Sequence, residues 1–415
     1  MVEDDVKKVI YDVVIVGGGM VGASLACALG ETGMHVAVIE AVRFQSDDQP
    51  SYDVRTISLS HGSREIFTSL GIWSLIDKAA VCPIRSIHVS DRGRPGLARL
   101  ESSDAGVDAL GYVVENRALG KALFKRIDGL DNVDIICPAS VVDANFDHDA
   151  ASLVCKTEDG ELAVDGRLVV VADGGRSGLR ESLGMQVRSD DYEQTAIVCN
   201  VTPGLDHRHC AYERFTESGP LALLPMNDKR CWCVWAARPD EVDDLLGLED
   251  EAFLDLLQQR FGDRLGRFSR VGERYVYPLA RSLVDMQYRD RVVLIGNAAH
   301  TVHPVAAQGF NLGLRDVAWL AEVLQACMDE GLDPGSQQVL QRYADLRETD
   351  NKRVTGFTHA MIKIFTSRLL PVIAGRNAGL LVVDLIPELR TALLRRTMGV
   401  SGRQSRLARG LFGAD

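Results

Sequence analysis

The stretch YDVVIVGGGMVGASLACALGETGMHVAVIE, residues 11–40, decides the fold of this chain. An apolar run enters Gly17, Gly19 and Gly22 in a G-x-G-x-x-G spacing, and small or apolar residues follow. This pattern predicts a strand, a tight turn and a helix. The first glycine permits the turn, the second lets the backbone approach a pyrophosphate, and the third lets the helix lie close to the strand. Unpaired N–H groups at the helix start, at Met20 and Val21, would face the phosphate charge.

A second apolar strand, residues 35–39, ends in Glu40, 18 residues after Gly22. A carboxylate at this distance is expected to bind ribose hydroxyls. The glycine triplet alone is a weak signal, because any tight strand-to-helix turn can use glycines. With two flanking strands and the acid, the stretch predicts a bound dinucleotide whose adenosine half lies over the second strand.

Composition places the chain among globular proteins with at least two domains, since it has 415 residues, 46% of them hydrophobic and 25% charged. Nine scattered cysteines show no framework spacing, which favours a reducing compartment and a cytoplasmic location. We expect no leader and no membrane-spanning run. The net charge of −12 disfavours nucleic acid as a partner.

The charge is unevenly distributed, because the segment from Lys352 to the end carries eleven Lys or Arg against three acidic residues, a net charge of +8. Such a basic segment can dock on an anionic membrane surface. A solvated helix face or a contact with a partner protein would explain it equally well.

Two further buried strands are predicted to end in polar or glycine-containing loops. Residues 167–172 run into Asp173 and Gly174, and residues 291–295 run into Gly296 and Asn297. The carboxyl edge of a parallel sheet is where ligands of open α/β folds bind, although an ordinary Asp-Gly turn would look the same.

The region from 192 to 283 has a different character, with short alternating strands and aromatic pairs. It predicts an antiparallel sheet that forms a second domain, and an apolar sheet facing a cofactor would suit a hydrophobic substrate. His300 and His303 have an i, i+3 spacing, but they lack neighbouring metal ligands, so we predict a loop or substrate-facing role and no metal.

Three segments now stand in order: the glycine turn with Glu40, then Asp173-Gly174, then GNAAHTVHPVAAQGFNLGLRD at 296–316. Over nearly its whole length the chain resembles the single-component FAD-dependent aromatic hydroxylases of the para-hydroxybenzoate hydroxylase type. The resemblance implies an α/β fold, in which a Rossmann-like FAD-binding domain is interleaved with an antiparallel-sheet substrate domain and followed by a helical C-terminal tail. The expected parts are 1–80, 111–190 and 286–350 for the FAD-binding domain, 81–110 and 191–285 for the substrate domain, and 351–415 for the basic tail.

The resemblance also implies a set of FAD contacts. It turns Arg55, which by itself is either a cation for the pyrophosphate or a surface arginine, into an expected FAD contact, and it adds Asn116. One departure is Asn297, where the usual motif has aspartate; an amide can bond a ribityl hydroxyl without charge. The full expected set is Gly17, Gly19, Met20, Val21, Gly22, Glu40, Arg55, Asn116, Asp173, Gly174, Gly296, Asn297, Pro304, Gly309, Asn311 and Leu312.

Within this group the segments VVENRAL, IHVSDRG and RFTESGPLALLPM are most similar to the ubiquinone-biosynthesis hydroxylases. The resemblance implies hydroxylation of a polyprenylated phenol, specifically 2-polyprenyl-6-methoxyphenol, through a flavin C4a-hydroperoxide formed with NAD(P)H and O2. No side chain is nominated as catalytic, because the flavin carries the chemistry. Substrate neighbours, each of which could equally be core, are Tyr212, Phe215, Leu223, Pro225, Trp232 and His303.

Several alternatives stay open at this point. The substrate could be another quinone precursor or a soluble aromatic compound, or the chain could be a non-catalytic flavin-fold subunit of a biosynthetic complex. The chain has no second glycine fingerprint for a nicotinamide, so either the donor binds transiently or a separate reductase reduces the flavin. A polyprenyl substrate would suit a protein that touches the inner membrane peripherally and that joins a quinone-biosynthesis complex.

Overall fold

The computed structural model describes residues 10–43 and 55–411. Its strands in chain order are β1 (Ile10–Val16), β2 (Val36–Ile39), β3 (Thr56–Ser60), β4 (Val81–Ile84), β5 (Ser86–Asp91), β6 (Leu97–Glu101), β7 (Gly111–Glu115), β8 (Val133–Ile136), β9 (Ala139–Phe146), β10 (Ala151–Thr157), β11 (Gly160–Val171), β12 (Val187–Thr202), β13 (Cys210–Phe215), β14 (Pro220–Pro225), β15 (Cys231–Ala237), β16 (Arg270–Val271), β17 (Tyr275–Val284), β18 (Tyr288–Arg289), β19 (Val292–Leu294) and β20 (His300–Thr301).

The helices are α1 (Met20–Gly30), α2 (His61–Ser69), α3 (Asn116–Ile127), α4 (Gly178–Ser182), α5 (Pro239–Gly247), α6 (Asp250–Phe261), α7 (Gly309–Asp329), α8 (Gln337–Thr366), α9 (Leu370–Leu385) and α10 (Pro387–Thr397).

The first sheet has the strand order β18-β19-β11-β1-β2-β8, in which β19, β11, β1, β2 and β8 run parallel. Its central strands are apolar on both sides because both faces are covered. Helices α1, α3 and α7 pack on one face, around Ile15 and Leu25. The antiparallel extension formed by β9 and β10 covers the other face, where Leu153 packs with Val14.

The second sheet has nine strands in the order β20-β17-β12-β15-β14-β13-β5-β6, and β16 pairs with β12. All of its pairs are antiparallel except β13 with β5. Helices α5 and α6 cover one face, where Phe253 packs against the fully buried Trp235. The short β5 and β6 therefore join the same sheet as the strands of residues 187–284. A third, three-stranded sheet has the order β3-β7-β4.

These observations confirm the predicted fold class, a parallel FAD-type α/β domain interleaved with an antiparallel sheet and followed by helices. Helix α8 crosses the expected boundary at residue 350. Helix α7 begins at Gly309, inside the third quoted segment. Pro371 and Pro387 lie in the first turns of α9 and α10, where proline is tolerated because those N–H groups have no intrahelical acceptor.

No single helix within the described ranges is long and apolar enough to cross a membrane. Helices α9 and α10 meet the length and composition criteria only as a pair, with a bend of 99° between them.

Candidate active site

The three predicted binding segments meet at one edge of the parallel sheet, where four strands end. The neighbouring strands β19, β11, β1 and β2 end in register, since Val16 lies opposite both Val171 and Ile39, and Val171 lies opposite Leu294. Each strand is followed within two residues by an expected contact, namely Gly296, Asp173, Gly17 and Glu40. Parallel pairing therefore gathers residues that are far apart in the sequence at one edge.

The three glycines of the first turn differ in what a side chain at each position would meet. Gly17 has φ +105°, and a Cβ there would lie 2.7 Å from the carbonyl carbon of Ala172. A Cβ on Gly22 would lie 1.9 Å from the carbonyl oxygen of Gly17, so only glycine lets α1 approach the turn. Gly19 is the N-cap of α1, and a Cβ there would meet no atom within 4 Å. The open space beside Gly19 is where a ligand could approach the backbone and the first N–H groups of α1, at Met20 and Val21.

The carboxylate of Glu40 is held beside this turn. Its Oε2 accepts a hydrogen bond from the N–H of Gly18 at 2.7 Å, and its Oε1 accepts one from the N–H of Val42 at 2.8 Å. The side chain is half-buried. Each carboxylate oxygen retains further acceptor capacity, so the position suits ribose hydroxyls.

Arg55 and Asn116 lie together at the start of α3. The N–H of Asn116 donates to the carbonyl of Arg55 at 3.0 Å, and the exposed Arg55 guanidinium lies 3.4 Å from the hydroxyl of Tyr277. The Oδ1 atom of Asn116 is buried and has no hydrogen-bond partner among the described residues. A buried acceptor without a donor is costly, and a bound polar ligand would satisfy it.

The second and third segments are joined by Arg180, which is buried. Its guanidinium donates to the carbonyl of Gly175 at 2.9 Å and to that of Ala298 at 3.1 Å. Asp173 accepts a hydrogen bond from the hydroxyl of Ser177 at 2.9 Å, and Gly174 has φ +93°. Arg180 thus fixes the Asp173 loop against the Gly296 loop.

A buried charge network supports the third segment, and the sequence analysis missed it. The carboxylate of Asp316 accepts hydrogen bonds from the N–H of Gly296 at 2.9 Å and from Nε of Arg347 at 2.7 Å. It also lies 2.6 Å from Nε2 of His300. Burial raises the pKa of Asp316, but the charges of His300 and Arg347 outweigh it and lower the pKa to about 2. The only sign of this network in the sequence is the position of Asp316, an acidic residue among the apolar residues of α7.

Gly296 and Gly313 let the third segment pack closely against α1. A Cβ on Gly296, which has φ +58°, would lie 3.1 Å from Cγ1 of Val21, and a Cβ on Gly313 would lie 3.1 Å from its Cγ2. Val21 of α1 therefore touches the third segment directly. This contact links the two ends of the expected FAD site.

The loop from Pro304 to Leu312 is held by its own side chains. Nδ2 of Asn311 donates to the carbonyls of Ala307 at 2.6 Å and Ser58 at 3.0 Å, while its Oδ1 accepts from the N–H of Ser60 at 2.8 Å. The Asn311 amide thus serves the loop, and the Leu312 side chain is fully buried. What this loop offers a ligand is the N-terminus of α7 at Gly309.

A cavity of about 830 Å³ lies between this loop and the second sheet. Asn297, Pro304, Gly309 and Asn311 line one side of the cavity. Phe215 and Trp232, two of the expected substrate neighbours, line the sheet side. A third, Tyr212, also borders the cavity, but its ring packs on the opposite face of the sheet, edge-on to Phe261 of α6 with ring centroids 5.5 Å apart.

Leu223, Pro225 and His303 do not line this cavity. Side chains alternate along β14, so Leu224 faces the cavity, whereas Leu223 packs on the opposite face against α5 and α6. His303 is buried, with Nε2 3.3 Å from Oε1 of Gln194 and Nδ1 accepting from the N–H of Val305. The described residues contain no group of three or more His, Cys, Asp or Glu arranged to hold a metal.

Helices α8 and α9 complete the cavity wall, which the sequence analysis did not predict. Phe357, Met361 and Phe365 recur at i, i+4 and i+8 along α8, and this apolar spacing was the available signal. Phe365 stacks on Phe215 with ring centroids 3.6 Å apart. The segment expected to be a basic tail is therefore also part of the site.

The residues present fit FAD. The open backbone at Gly19 suits the pyrophosphate, and the carboxylate of Glu40 suits the ribose hydroxyls. The unpartnered Oδ1 of Asn116 could accept a hydrogen bond from a hydroxyl or N–H group of the cofactor. Asn297 and the α7 N-terminus at Gly309 border the cavity, where a flavin ring could meet a substrate.

Comparisons with known proteins identify the family of this chain. Residues 10–358 match the FAD binding domain family. The chain is 39% identical over 405 residues to ubiquinone hydroxylase UbiL of Rhodospirillum rubrum, covering 97% of this chain and 93% of that protein. It is 30% identical to the 3-demethoxyubiquinol 3-hydroxylase of Escherichia coli, covering 94% and 98%.

Solved structures share the fold. The p-nitrophenol 4-monooxygenase PnpA of Pseudomonas putida superimposes with a TM-score of 0.78 at 21% identity, covering 96% of this chain and 100% of that chain. PqsL of Pseudomonas aeruginosa, described as a probable FAD-dependent monooxygenase, gives a TM-score of 0.73 at 23% identity, covering 90% of this chain and all of that one. By the match of its sequence over residues 10–358 and by its relatives, the chain belongs to the family of FAD-binding, NAD(P)H-dependent monooxygenases that includes the ubiquinone hydroxylases.

Proposed function

We propose that this protein hydroxylates the phenol ring of a polyprenylated ubiquinone precursor, 2-polyprenyl-6-methoxyphenol. The observation that carries the proposal is the cavity of about 830 Å³, which joins the expected flavin contacts Asn297 and Gly309 to an apolar sheet. Its size is that of ordinary small-molecule pockets. A phenol ring and the first part of a prenyl chain would fit such a space.

The chain's own residues would orient the ring and exclude water. Polar side chains of the cavity, such as Thr301 and Gln308, belong to the loop side and would meet the phenol hydroxyl. Leu224 and Trp232 of the sheet, with Met361 of α8, would hold the apolar part. Bound FAD would supply the activation of O2 with electrons from NAD(P)H.

The proposal assigns the FAD contacts along the edge of the parallel sheet. The ADP half would lie on Gly17, Gly19, Met20, Val21 and Gly22, with Glu40 on the ribose. Arg55, Asn116, Asp173 and Gly174 would hold the middle of the cofactor. The ribityl chain and the flavin ring would lie on Gly296, Asn297, Pro304, Gly309, Asn311 and Leu312.

The names of the relatives support a ubiquinone precursor as the substrate class. They include ubiquinone hydroxylases of Rhodospirillum rubrum and Neisseria meningitidis and a 3-demethoxyubiquinol 3-hydroxylase. The last of these names a different precursor from the one proposed here, which makes hydroxylation of another precursor the second candidate.

Deletion of the gene, followed by analysis of the lipids that accumulate under aeration, separates these candidates. We expect 2-polyprenyl-6-methoxyphenol to accumulate. Accumulation of a 3-demethoxy precursor would reassign the substrate, and an unchanged lipid profile would reject a role in this synthesis.

Complementation of the same deletion with a Gly19→Val variant distinguishes an enzyme from a scaffold subunit. Valine at the open Gly19 position should block the approach of FAD to the backbone. We expect no rescue by this variant, whereas wild type restores synthesis. Rescue by a folded variant that binds no FAD would mean that a non-catalytic role suffices. In parallel, the purified wild-type protein should be yellow and should be bleached by NAD(P)H without O2.

We further propose that the protein works at a membrane surface, in a cytoplasmic setting and within a biosynthetic complex, because a polyprenyl phenol resides in lipid. Several cations of the C-terminal segment are already engaged within the protein. Nε of Arg376 lies 2.8 Å from the carboxylate of Asp91, and Nε of Arg390 lies 3.0 Å from that of Asp104. The positive charge of the segment therefore supports such a contact only in part.

A further inference from the structure

Helix α9 presents an apolar face to solvent. Its outer face is defined here as Leu370, Ala374, Ala378, Leu381, Val382 and Leu385. These residues recur at i, i+4, i+8, i+11, i+12 and i+15, so they form one stripe along the helix. All six are exposed, and the exposed fraction reaches 75% at Leu370 and 76% at Leu385.

The two charged residues of α9 point the other way. Arg376 is paired with Asp91, and its guanidinium also donates to the carbonyls of Ile364 and Phe365 at 3.1 and 2.8 Å. Asp384 accepts a hydrogen bond from the N–H of Arg99 at 2.8 Å. A surface helix of a soluble protein normally turns its charges outward and its apolar stripe inward, whereas α9 turns its charges inward and exposes an apolar stripe.

The inner side of α9 is a wall of the substrate cavity. Leu380 and Val383 line the cavity directly. Ile364 of α8 also lines it while remaining 41% exposed, so the cavity reaches the surface beside Arg376. One helix thus separates an apolar cavity from an exposed apolar face, and an opening lies next to it.

Exposed cations precede and follow α9 along the chain. Lys363 and Arg368 precede α9, and Arg395 and Arg396 lie in the last turn of α10. Glu388 is the exposed acid among the described residues from 363 to 411. An apolar stripe bordered by cations is the chemistry that binds the interface of an anionic bilayer.

We infer that the outer face of α9 inserts into the headgroup and acyl boundary of an anionic lipid bilayer. This seats the cavity opening at Ile364 on the lipid. The inference rests on the proposed function in one respect, the polyprenyl substrate, whose chain is too long for the cavity and would extend past α9 into the bilayer. The docking itself depends only on the face and the cations.

The test is co-sedimentation of the full-length, FAD-loaded protein with phosphatidylcholine vesicles containing phosphatidylglycerol. Leu370→Glu/Leu385→Glu replaces the two most exposed residues of the outer face. Val142→Glu/Met286→Glu is the matched control, since it adds the same charge at positions 55% and 59% exposed that lie outside the face. Neither variant removes buried contacts, so both should fold and keep their FAD.

We expect the α9 variant to bind these vesicles at least about tenfold more weakly than wild type, because it replaces two leucines that would enter the bilayer with charged side chains. The control should keep most of its binding, and vesicles of phosphatidylcholine alone should bind wild type less tightly. Equal binding by the α9 variant and the control, or no binding by wild type, would overturn the inference. A wild-type dimer in solution that the α9 variant breaks would assign the face to a second copy and overturn it as well.

Hydroxylation of a short-chain, water-soluble phenol separates failure of the docking from failure of the proposed function. We expect the α9 variant to turn over this soluble phenol like wild type and to lose activity only with vesicle-borne substrate. Vesicle binding by a wild-type protein that hydroxylates neither phenol would reject the proposed function and leave the docking standing.

Discussion

Arg347 and Asp316 form an ion pair of 2.7 Å in which both side chains are fully buried. The pair also receives the N–H of Gly296, so it connects α8 to the loop expected to hold the flavin end of the cofactor. Removing one partner of such a pair leaves the charge of the other buried and uncompensated, whereas replacing both partners is often tolerated.

Asp316→Asn should therefore lower the free energy of unfolding by about 3–5 kcal/mol. The double variant Asp316→Asn/Arg347→Met should lose less than the sum of the two single changes. Urea unfolding followed by tryptophan fluorescence measures both. Glu348→Gln, which removes the exposed partner of Lys352, is the control and should cost less than about 1 kcal/mol. A cost of that small size for Asp316→Asn would mean that the network does not stabilise the fold.

Alanine substitutions at Gly19 and Gly22 should have different effects, one on FAD affinity and the other on the stability of the apoprotein. At Gly19 the backbone is extended and a Cβ meets no atom within 4 Å, so Gly19→Ala should leave the apoprotein's melting temperature unchanged while weakening FAD binding. At Gly22 a Cβ would lie 1.9 Å from the carbonyl oxygen of Gly17, so Gly22→Ala should destabilise the apoprotein itself. Calorimetry of the apoproteins and FAD fluorescence titration separate the two effects. Normal FAD affinity in Gly19→Ala would place the cofactor elsewhere.

The parallel sheet was predictable because each strand carries its own local signal. Val13–Val16 and the glycines after them are contiguous, and the last residues of β11, Leu168–Val171, and those of β19, Val292–Leu294, also form continuous apolar runs. Their meeting at one edge follows from parallel pairing, which made Gly17, Asp173 and Gly296 a recoverable set.

The faces of β14 and the partners of α7 and α8 were not recoverable from the same signals. Leu223 and Leu224 are equally apolar, because both faces of β14 are covered, so no alternation marks which one faces the cavity. Asp316 and Arg347 lie 31 residues apart on different helices, and nothing local shows that they meet. Arginines in the C-terminal segment suggested a basic tail, although Arg376 faces inward and it is the leucines of α9 that are exposed.

Substitutions at the neighbouring Leu223 and Leu224 of β14 should affect different properties, the first stability and the second substrate binding. Leu223→Ala should lower the free energy of unfolding by about 2–5 kcal/mol, because its fully buried side chain packs against α5 and α6. Leu224→Trp should raise the KM for the phenol by filling part of the cavity, with little loss of stability. Urea unfolding and steady-state kinetics on the soluble phenol test both. The reverse pattern would show that the strand faces are exchanged.

His303 should make the stability of the protein depend on pH between neutrality and pH 5. Burial lowers the pKa of His303 from 6.5 to about 4, and its Nδ1 accepts a hydrogen bond from the N–H of Val305, as a neutral imidazole does. In the pH range between these two pKa values the unfolded chain binds a proton that the folded chain does not, so stability falls as the pH falls. From pH 7 to pH 5 the free energy of unfolding should fall by about 2 kcal/mol for this reason.

The variant His303→Gln cannot take up the proton. Its unfolding free energy should therefore fall by about 2 kcal/mol less than that of wild type over the same pH range, even if the variant is less stable at pH 7. His148→Gln, at a position where the side chain is 98% exposed, should keep the wild-type pH dependence in urea unfolding. Identical pH dependence in wild type and His303→Gln would mean that His303 is already protonated, or freely solvated, in the folded protein.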